Sequence, residues 1–111
     1  MINLLKIDME YVQKILFVRL KGGLNYKNCY KIENYVNSVI KKHQIENVVY
    51  NLKYLNNIDI VGIDTLLHSK YLIRQNKGTI CFCNIGYIKN FLKPLRIKEI
   101  PNEETAKRLM I

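Results

Sequence analysis

The side chains able to do chemistry are few, and their spacing favours none of the common reactions. Asp59 and Asp64 bracket the stretch Asp59-Ile60-Val61-Gly62-Ile63-Asp64, which reads as a turn running into a helix. That separation does not aim two carboxylates at one substrate, as acid–base work requires. Asp64 is expected to stand exposed in the first helical turn. Cys81 and Cys83 lie two apart in a strand-like run, so both should face the same way. With Cys29 they make three cysteines, an odd number for a disulfide framework. The two histidines, His43 and His68, show no ligand spacing around them. Small buried thiols in a reducing compartment are therefore expected, with no metal and no cofactor. Besides the tyrosines, the hydroxyls are Ser38, Thr65, Ser69, Thr79 and Thr105. None sits in a glycine elbow, and neither a phosphate-binding G-x-x-x-x-G-K loop nor an H-E-x-x-H pair occurs. Thr65 lies nearest the turn and is a substitute phosphorylation site in principle, but reads first as an ordinary helix threonine. The chain is not expected to be an enzyme.

Charge is the other feature that asks for a partner. Lysine and arginine number 18 against 9 acids, a formal charge of +9, which brings nucleic acid or an anionic surface into consideration. The bases are scattered, however: Lys6, Lys14, Lys21, Lys27, Lys31, Lys53, Lys70, Lys89 and Lys98 fall in every expected element. The richness in Ile, Asn, Lys and Tyr is also what an AT-rich genome produces. Tyr26, Tyr30 and Tyr35 with Lys27 and Lys31 are the best candidates for a nucleic-acid face. Binding there should be weak and without sequence preference. Most of the eight tyrosines are expected at the edge of the core, as amphipathic residues.

The whole chain, 1–111, fits one domain. Its 49% hydrophobic and 24% charged content is globular and not disordered. No apolar run approaches the roughly 20 residues of a membrane-spanning helix. Met1 to Glu10 does not read as a signal peptide, so a cytoplasmic location is expected.

The elements that must position these residues alternate. Ile2 to Ile7 and Ile15 to Leu20 read as strands, separated by a polar turn region around Glu10 and Gln13, the second ending at the breaker Gly22–Gly23. Asn25 is a good N-cap for a helix whose face carries Cys29, Ile32, Val36, Val39 and Ile40 and which should end near His43. Val48 to Leu52 has the character of a buried central strand, followed by a polar turn at Asn56–Asn57. Ile63, Leu66, Leu67 and Ile73 with Tyr71 describe a second helix, closing at Lys77–Gly78, where glycine is a plausible stop. Thr79 to Cys83 is a strand; Ile88, Phe91, Leu92 and Leu95 mark a helix cut short or kinked by Pro94; Lys98 to Ile100 is a brief strand. Glu103 to Met110 forms a last short helix whose acids precede its bases, matching the helix dipole. The order β-β-α-β-α-β-α-β-α predicts an α/β fold: a mixed sheet of about five strands with four helices, most on one side.

Two stretches carry a resemblance. The first is Leu16 to Asn25, a strand that ends in glycine and a Leu-Asn turn into a helix. The second is Val48-Val49-Tyr50-Asn51-Leu52 followed by Ile58-Asp59-Ile60-Val61-Gly62-Ile63, with Leu66 and Leu67 behind it. Together they resemble STAS domains of the anti-sigma factor antagonist type, which read G-x-L-D at the first site and a V-x-L-D/N-L strand with D-S-S-G-L at the second. The likeness runs from about Asp8 to Pro101. It implies a STAS-like fold and a non-catalytic, partner-binding regulator, either a monomer or a weak homodimer.

In that family the loop before the second helix docks on a kinase-type anti-sigma factor, a serine-kinase-like ATPase. The kinase phosphorylates the serine before the motif glycine, and only the unphosphorylated antagonist captures it. Here that position is Val61, with Ile60 before it; neither has a hydroxyl, so phosphorylation at the family site is impossible. Asp59 and Gly62 remain, Asp59 as a candidate helix cap and Gly62 as room for close backbone approach. Asn25 replaces the usual aspartate. The resemblance thus assigns partner binding to Asn25, Asp59, Ile60, Val61, Gly62 and Thr65. Ile60 and Val61 would offer an apolar patch, with one of the two expected to pack under the neighbouring helix. The alternative roles are a STAS scaffold in a stress complex, an accessory subunit of a lipid-transport ATPase or another STAS-binding assembly, and, behind these, a basic nucleic-acid-binding domain.

Overall fold

The structure, a computed structural model, describes residues 4–110. A five-stranded sheet runs in the order β1-β2-β3-β4-β5, with β1 Leu5–Val12, β2 Ile15–Leu24, β3 Asn47–Ile58, β4 Thr79–Cys83 and β5 Lys98–Ile100. Only β1 is antiparallel to its neighbour; the other pairings are parallel. Helix α1 is a π-helical turn, Ile32–Asn37, running into the α-helical Ser38–Lys42. Helix α2 is Ile60–Gln75, α3 is Lys89–Leu92 between two 3-10 turns, and α4 is Glu103–Leu109. The mixed sheet, the four helices and their order are as expected.

Because the parallel strands are added in sequence, each right-handed crossover leaves its helix on the same face. The main core accordingly joins Leu16, Val18, Leu20, Val48, Tyr50, Leu52, Ile80 and Phe82 of the sheet to Ile32, Val36 and Ile40 of α1, Leu66 and Ile73 of α2, and Leu92 of α3. The alternate strand residues Ile15, Phe17, Val49, Cys81 and Cys83 form a second, smaller core under Ala106 of α4. The two thiols do face one way, and both are buried. Burial pushes the Cys83 thiol up to about 12, and the Cys81 thiol is raised for the same reason.

Several boundaries move, each for a local reason. The expected first strand began at Ile2; Ile2 and Asn3 lie outside the described residues, and the strand continues to Val12. Glu10 is therefore within β1, and the turn is Gln13–Lys14 alone, both left-handed. Asp8 and Glu10 alternate onto the α4 face and are held there by Arg19 at 2.7 and 2.8 Å. The Gly22–Gly23 pair does not end β2 but bulges it. Gly22 has a φ of +108°, and a Cβ there would lie 2.2 Å from the Leu4 carbonyl oxygen. The bulged extension gives β3 a partner beyond Leu52, with Leu55 opposite Gly22 and Ile58 opposite Leu24. Asn56–Asn57 is consequently strand and not turn. At the end of α2 the left-handed residue is Lys77, at φ +60°. Gly78 is needed instead for closeness, since a Cβ on it would meet the Glu46 carbonyl oxygen at 1.8 Å. The third helix is shorter than its apolar spacing implied, with Pro94 in the second flanking turn.

A buried polar chain sets α2 against α1 and the sheet. The Tyr50 hydroxyl donates to Ser69 Oγ at 2.7 Å, and Ser69 donates to Asn37 Oδ1 at 2.5 Å. Asn37 Nδ2 donates to Glu33 at 2.8 Å, and Glu33 in turn accepts from His68 Nδ1. Each buried group is thereby satisfied, which a low-dielectric interior demands. Burial raises the Tyr50 hydroxyl above its ordinary range, so it serves as a donor throughout the accessible pH range.

Candidate functional site

The two motif stretches, Leu16 to Asn25 and Val48 to Ile63, meet at the carboxyl ends of β2 and β3. The Asp59 amide donates to the Leu24 carbonyl at 3.1 Å. One oxygen of its carboxylate accepts from the Gly62 amide at 2.8 Å and the other from the Tyr26 amide at 2.9 Å. Asp59 is therefore the N-cap of α2, as its type and place implied, and also a tether to the chain that leaves β2. A carboxylate suits this position because unpaired amides and the helix dipole both favour negative charge there. Gly62 lies against that same chain: a Cβ on it would come 2.7 Å from the Leu24 carbonyl oxygen. Only glycine lets α2 begin so close to β2.

Asn25 is not the N-cap expected of it: α1 begins only at Ile32 with no side-chain cap, and residues 26–29 are turn. The Asn25 side-chain oxygen instead accepts from the Lys27 amide at 2.9 Å, closing a local turn before the helix. The Asn25 amide donates to Asn28 Oδ1 at 2.9 Å, and Asn28 Nδ2 reaches back to the Gly23 carbonyl at 2.8 Å. Asn28 is buried and was missed from sequence. The Asn28 amide also donates to the Asn25 main-chain carbonyl at 3.1 Å, so its side chain and backbone together pin the turn, which an isolated asparagine does not announce. Tyr26 belongs here through its backbone amide, while its ring is exposed.

Above this framework the surface is apolar. Ile60 is 74% exposed and Val61 38%, so the expectation that one of them packs beneath a neighbouring helix does not hold. They occupy the first turn of α2, where the close approach of Leu24 to Gly62 fills the inward side and leaves them outside. The apolar character continues along α2 through exposed Leu67 and Tyr71, beside a shallow groove of about 450 Å³. Asp64 is exposed on the same side, as expected. Thr65 departs from the partner-contact assignment: it is only 6% exposed, and its hydroxyl donates to the Val61 carbonyl at 3.1 Å. It is an ordinary helix threonine, facing inward. Among the described residues no group of His, Cys, Asp and Glu could hold a metal, and no helix is long and apolar enough to cross a membrane.

On a mixed sheet, then, a capped helix start presents exposed aliphatic side chains that offer a surface for contact. The comparisons with known proteins give the family. A family model described as "STAS domain" matches residues 6–88. An anti-sigma F factor antagonist of Paenibacillus polymyxa is 31% identical over 82 residues, covering 74% of this chain and 70% of that protein. The chain belongs to the STAS domain family. Among solved structures, the anti-sigma factor antagonist SpoIIAA in its unphosphorylated form superposes with a TM-score of 0.79 at 17% identity, covering 94% of this chain and 97% of the other. The phosphorylated form of the Bacillus protein gives 0.74 at 17% identity, covering 94% and 99%. Those two likenesses are of fold. Together with the family and the curated relative, they make this chain a non-catalytic regulatory binding module resembling an anti-sigma factor antagonist.

Proposed function

We propose that this protein captures a kinase-type anti-sigma factor through the start of α2, and that it does so without a phosphorylation switch at the position the family uses. The observation that carries the reading is the exposure of Ile60 and Val61 on a helix start held rigid by Asp59 and Gly62. Val61 stands where the family's phosphoacceptor would have to be, with Ile60 before it, and neither side chain offers a hydroxyl. A phosphate there would bring nearly two negative charges into a docking surface, next to the Asp59 carboxylate, and so oppose binding. With aliphatic side chains, the surface stays in its binding-competent form whatever the kinase does. Thr65, inward-facing and bonded to backbone, is not a substitute acceptor. Asn25 acts by shaping the neighbouring turn and not as a charged contact.

The test is to mix the purified protein with a kinase-type anti-sigma factor from the same genome and radiolabelled ATP. A stable complex with no label on this chain is expected, and Val61→Ser should turn it into a substrate. Label on the native chain would refute the switchless reading, and absence of any complex would refute the antagonist role itself.

A further inference from the structure

Basic residues that are scattered in the sequence converge at one end of the α2 groove. Lys70 lines it, and its amine donates to the Leu95 carbonyl at 2.8 Å and the Arg96 carbonyl at 3.3 Å. That contact brings the turn bearing Arg96 against α2. Arg74 stands one helical turn beyond Lys70, on the same wall of the groove. Arg74 and Arg96 are both exposed, and neither is in an ion pair among the described residues. Burial holds the Lys70 amine below its ordinary value, and repulsion from Arg74 and Arg96 adds to that. At the other end of the groove stands Asp64, with Leu67 and Tyr71 between. The Glu33 carboxylate flanks the middle through His68.

From this arrangement we infer that the α2 groove is read lengthwise by a protein partner presenting an acidic segment opposite Lys70, Arg74 and Arg96, and an apolar anchor over Leu67 and Tyr71. The inference rests on the partner-binding reading given above and adds to it the partner's chemistry and orientation. The free cations at one end fix the sign of the partner's charge there. Asp64 at the far end fixes which way round it lies, because an acidic segment in the reverse direction would face a like charge. A nucleic-acid backbone fits less well, since a continuous line of phosphates along the groove would meet Asp64 and Glu33. Complementary charge of this kind acts mainly on the rate of encounter, by roughly 10- to 1,000-fold, and is screened by salt.

The experiment measures the association rate with the kinase-type anti-sigma factor over a range of salt concentrations. Four forms are compared: the native chain, Arg74→Glu with Arg96→Asp, Lys41→Glu with Lys42→Glu, and Val61→Asp. Aspartate is chosen at position 96 because the backbone there is left-handed, at φ +52°, which aspartate tolerates better than most residues. The Lys41 and Lys42 pair makes the same change in net charge at the end of α1. The native rate should fall steeply with salt. The groove pair should lower it about tenfold or more at low salt and flatten its salt dependence, and the α1 pair should stay within about twofold of native. If the groove pair associates like the native chain, or the α1 pair is slowed as much, the inference is overturned while the capture reading stands. If Val61→Asp binds normally, or nothing binds at all, the capture reading fails and takes the inference with it.

Discussion

Asp59 is the residue on which the site turns. One carboxylate oxygen ends α2 by accepting from Gly62, and the other holds the backbone of Tyr26, so a single side chain sets both the helix start and the loop beside it. Loss of a helix cap costs about 1–2 kcal/mol, and Asp59→Ala loses the tether as well. It should lower stability by at least that amount in a denaturant titration and loosen the Tyr26 amide in hydrogen exchange. Asp59→Asn, whose one side-chain oxygen can keep the Gly62 bond but whose amide nitrogen cannot accept from Tyr26, should recover the cap and leave the Tyr26 amide loosened; equal loss of stability from both variants would mean that capping is not the cause. Sequence reasoning found Asp59 and Gly62 because caps and close approaches are local needs that a residue type announces; it made Asn25 a helix cap, whereas Asn25 closes a turn and the helix starts later. It placed Thr65 on the docking surface, where the fold does not. Which side of α2 faces solvent depends on the sheet beneath, and an isolated threonine carries no sign of that.

At the scale of elements, α4 is attached to the sheet differently from the other helices. It buries Ala106 in the smaller core, and Glu103 in its first turn grips Arg19 of β2 through two bonds at 2.9 and 2.8 Å while accepting from Asn51 of β3 at 2.8 Å. The hydrogen bonds from Arg19 hold the Glu103 carboxyl below its ordinary value, against the opposing effect of burial. A carboxyl whose folded value is depressed contributes stability that is complete above its unfolded value, ordinarily 4.5, and is lost as pH falls through the lowered folded value. Acid should therefore loosen α4 before the rest of the fold, seen as a change in the Ala106 methyl and Phe17 ring NMR signals as the pH falls below the unfolded value of 4.5. Glu103→Gln should remove that step; an unchanged titration in the variant would show that another carboxyl controls it. The helix itself was legible from its dipole-matched charges. Its anchor was not, since Arg19 and Glu103 are 84 residues apart in the chain.

For the molecule as a whole, the charge of +9 is unevenly opposed. Three of the acids, Asp8, Glu10 and Glu103, converge on the single cation Arg19. They lie on the α4 side of the sheet, away from α2. That leaves fewer acids for the cations on the other side, and Arg74 and Arg96, beside Lys70, are in no ion pair among the described residues. A compact patch with an acid at its far end gives attraction without a track for a phosphate backbone. Affinity for duplex DNA should accordingly be weaker than micromolar at about 0.15 M salt and fall steeply as salt rises. Submicromolar binding under those conditions, measured by fluorescence anisotropy, would assign the charge to nucleic acid instead.

The order of strands and helices, the shared face of Cys81 and Cys83, the cap at Asp59 and the missing phosphoacceptor at Val61 were all determined by the sequence alone. Each depends on a residue's own chemistry or on a period of two or three to four positions, which neighbours along the chain express. Tertiary structure decided that β2 and β3 run through Gly22–Gly23 and Asn56–Asn57, because a bulged strand is kept as strand only by a partner across the sheet. It also decided that Ile60 and Val61 both stay outside while Thr65 turns inward, and that Lys70, Arg74 and Arg96 meet. Exposure and charge clustering are properties of surfaces, and a surface exists only once distant parts of the chain have been packed against one another.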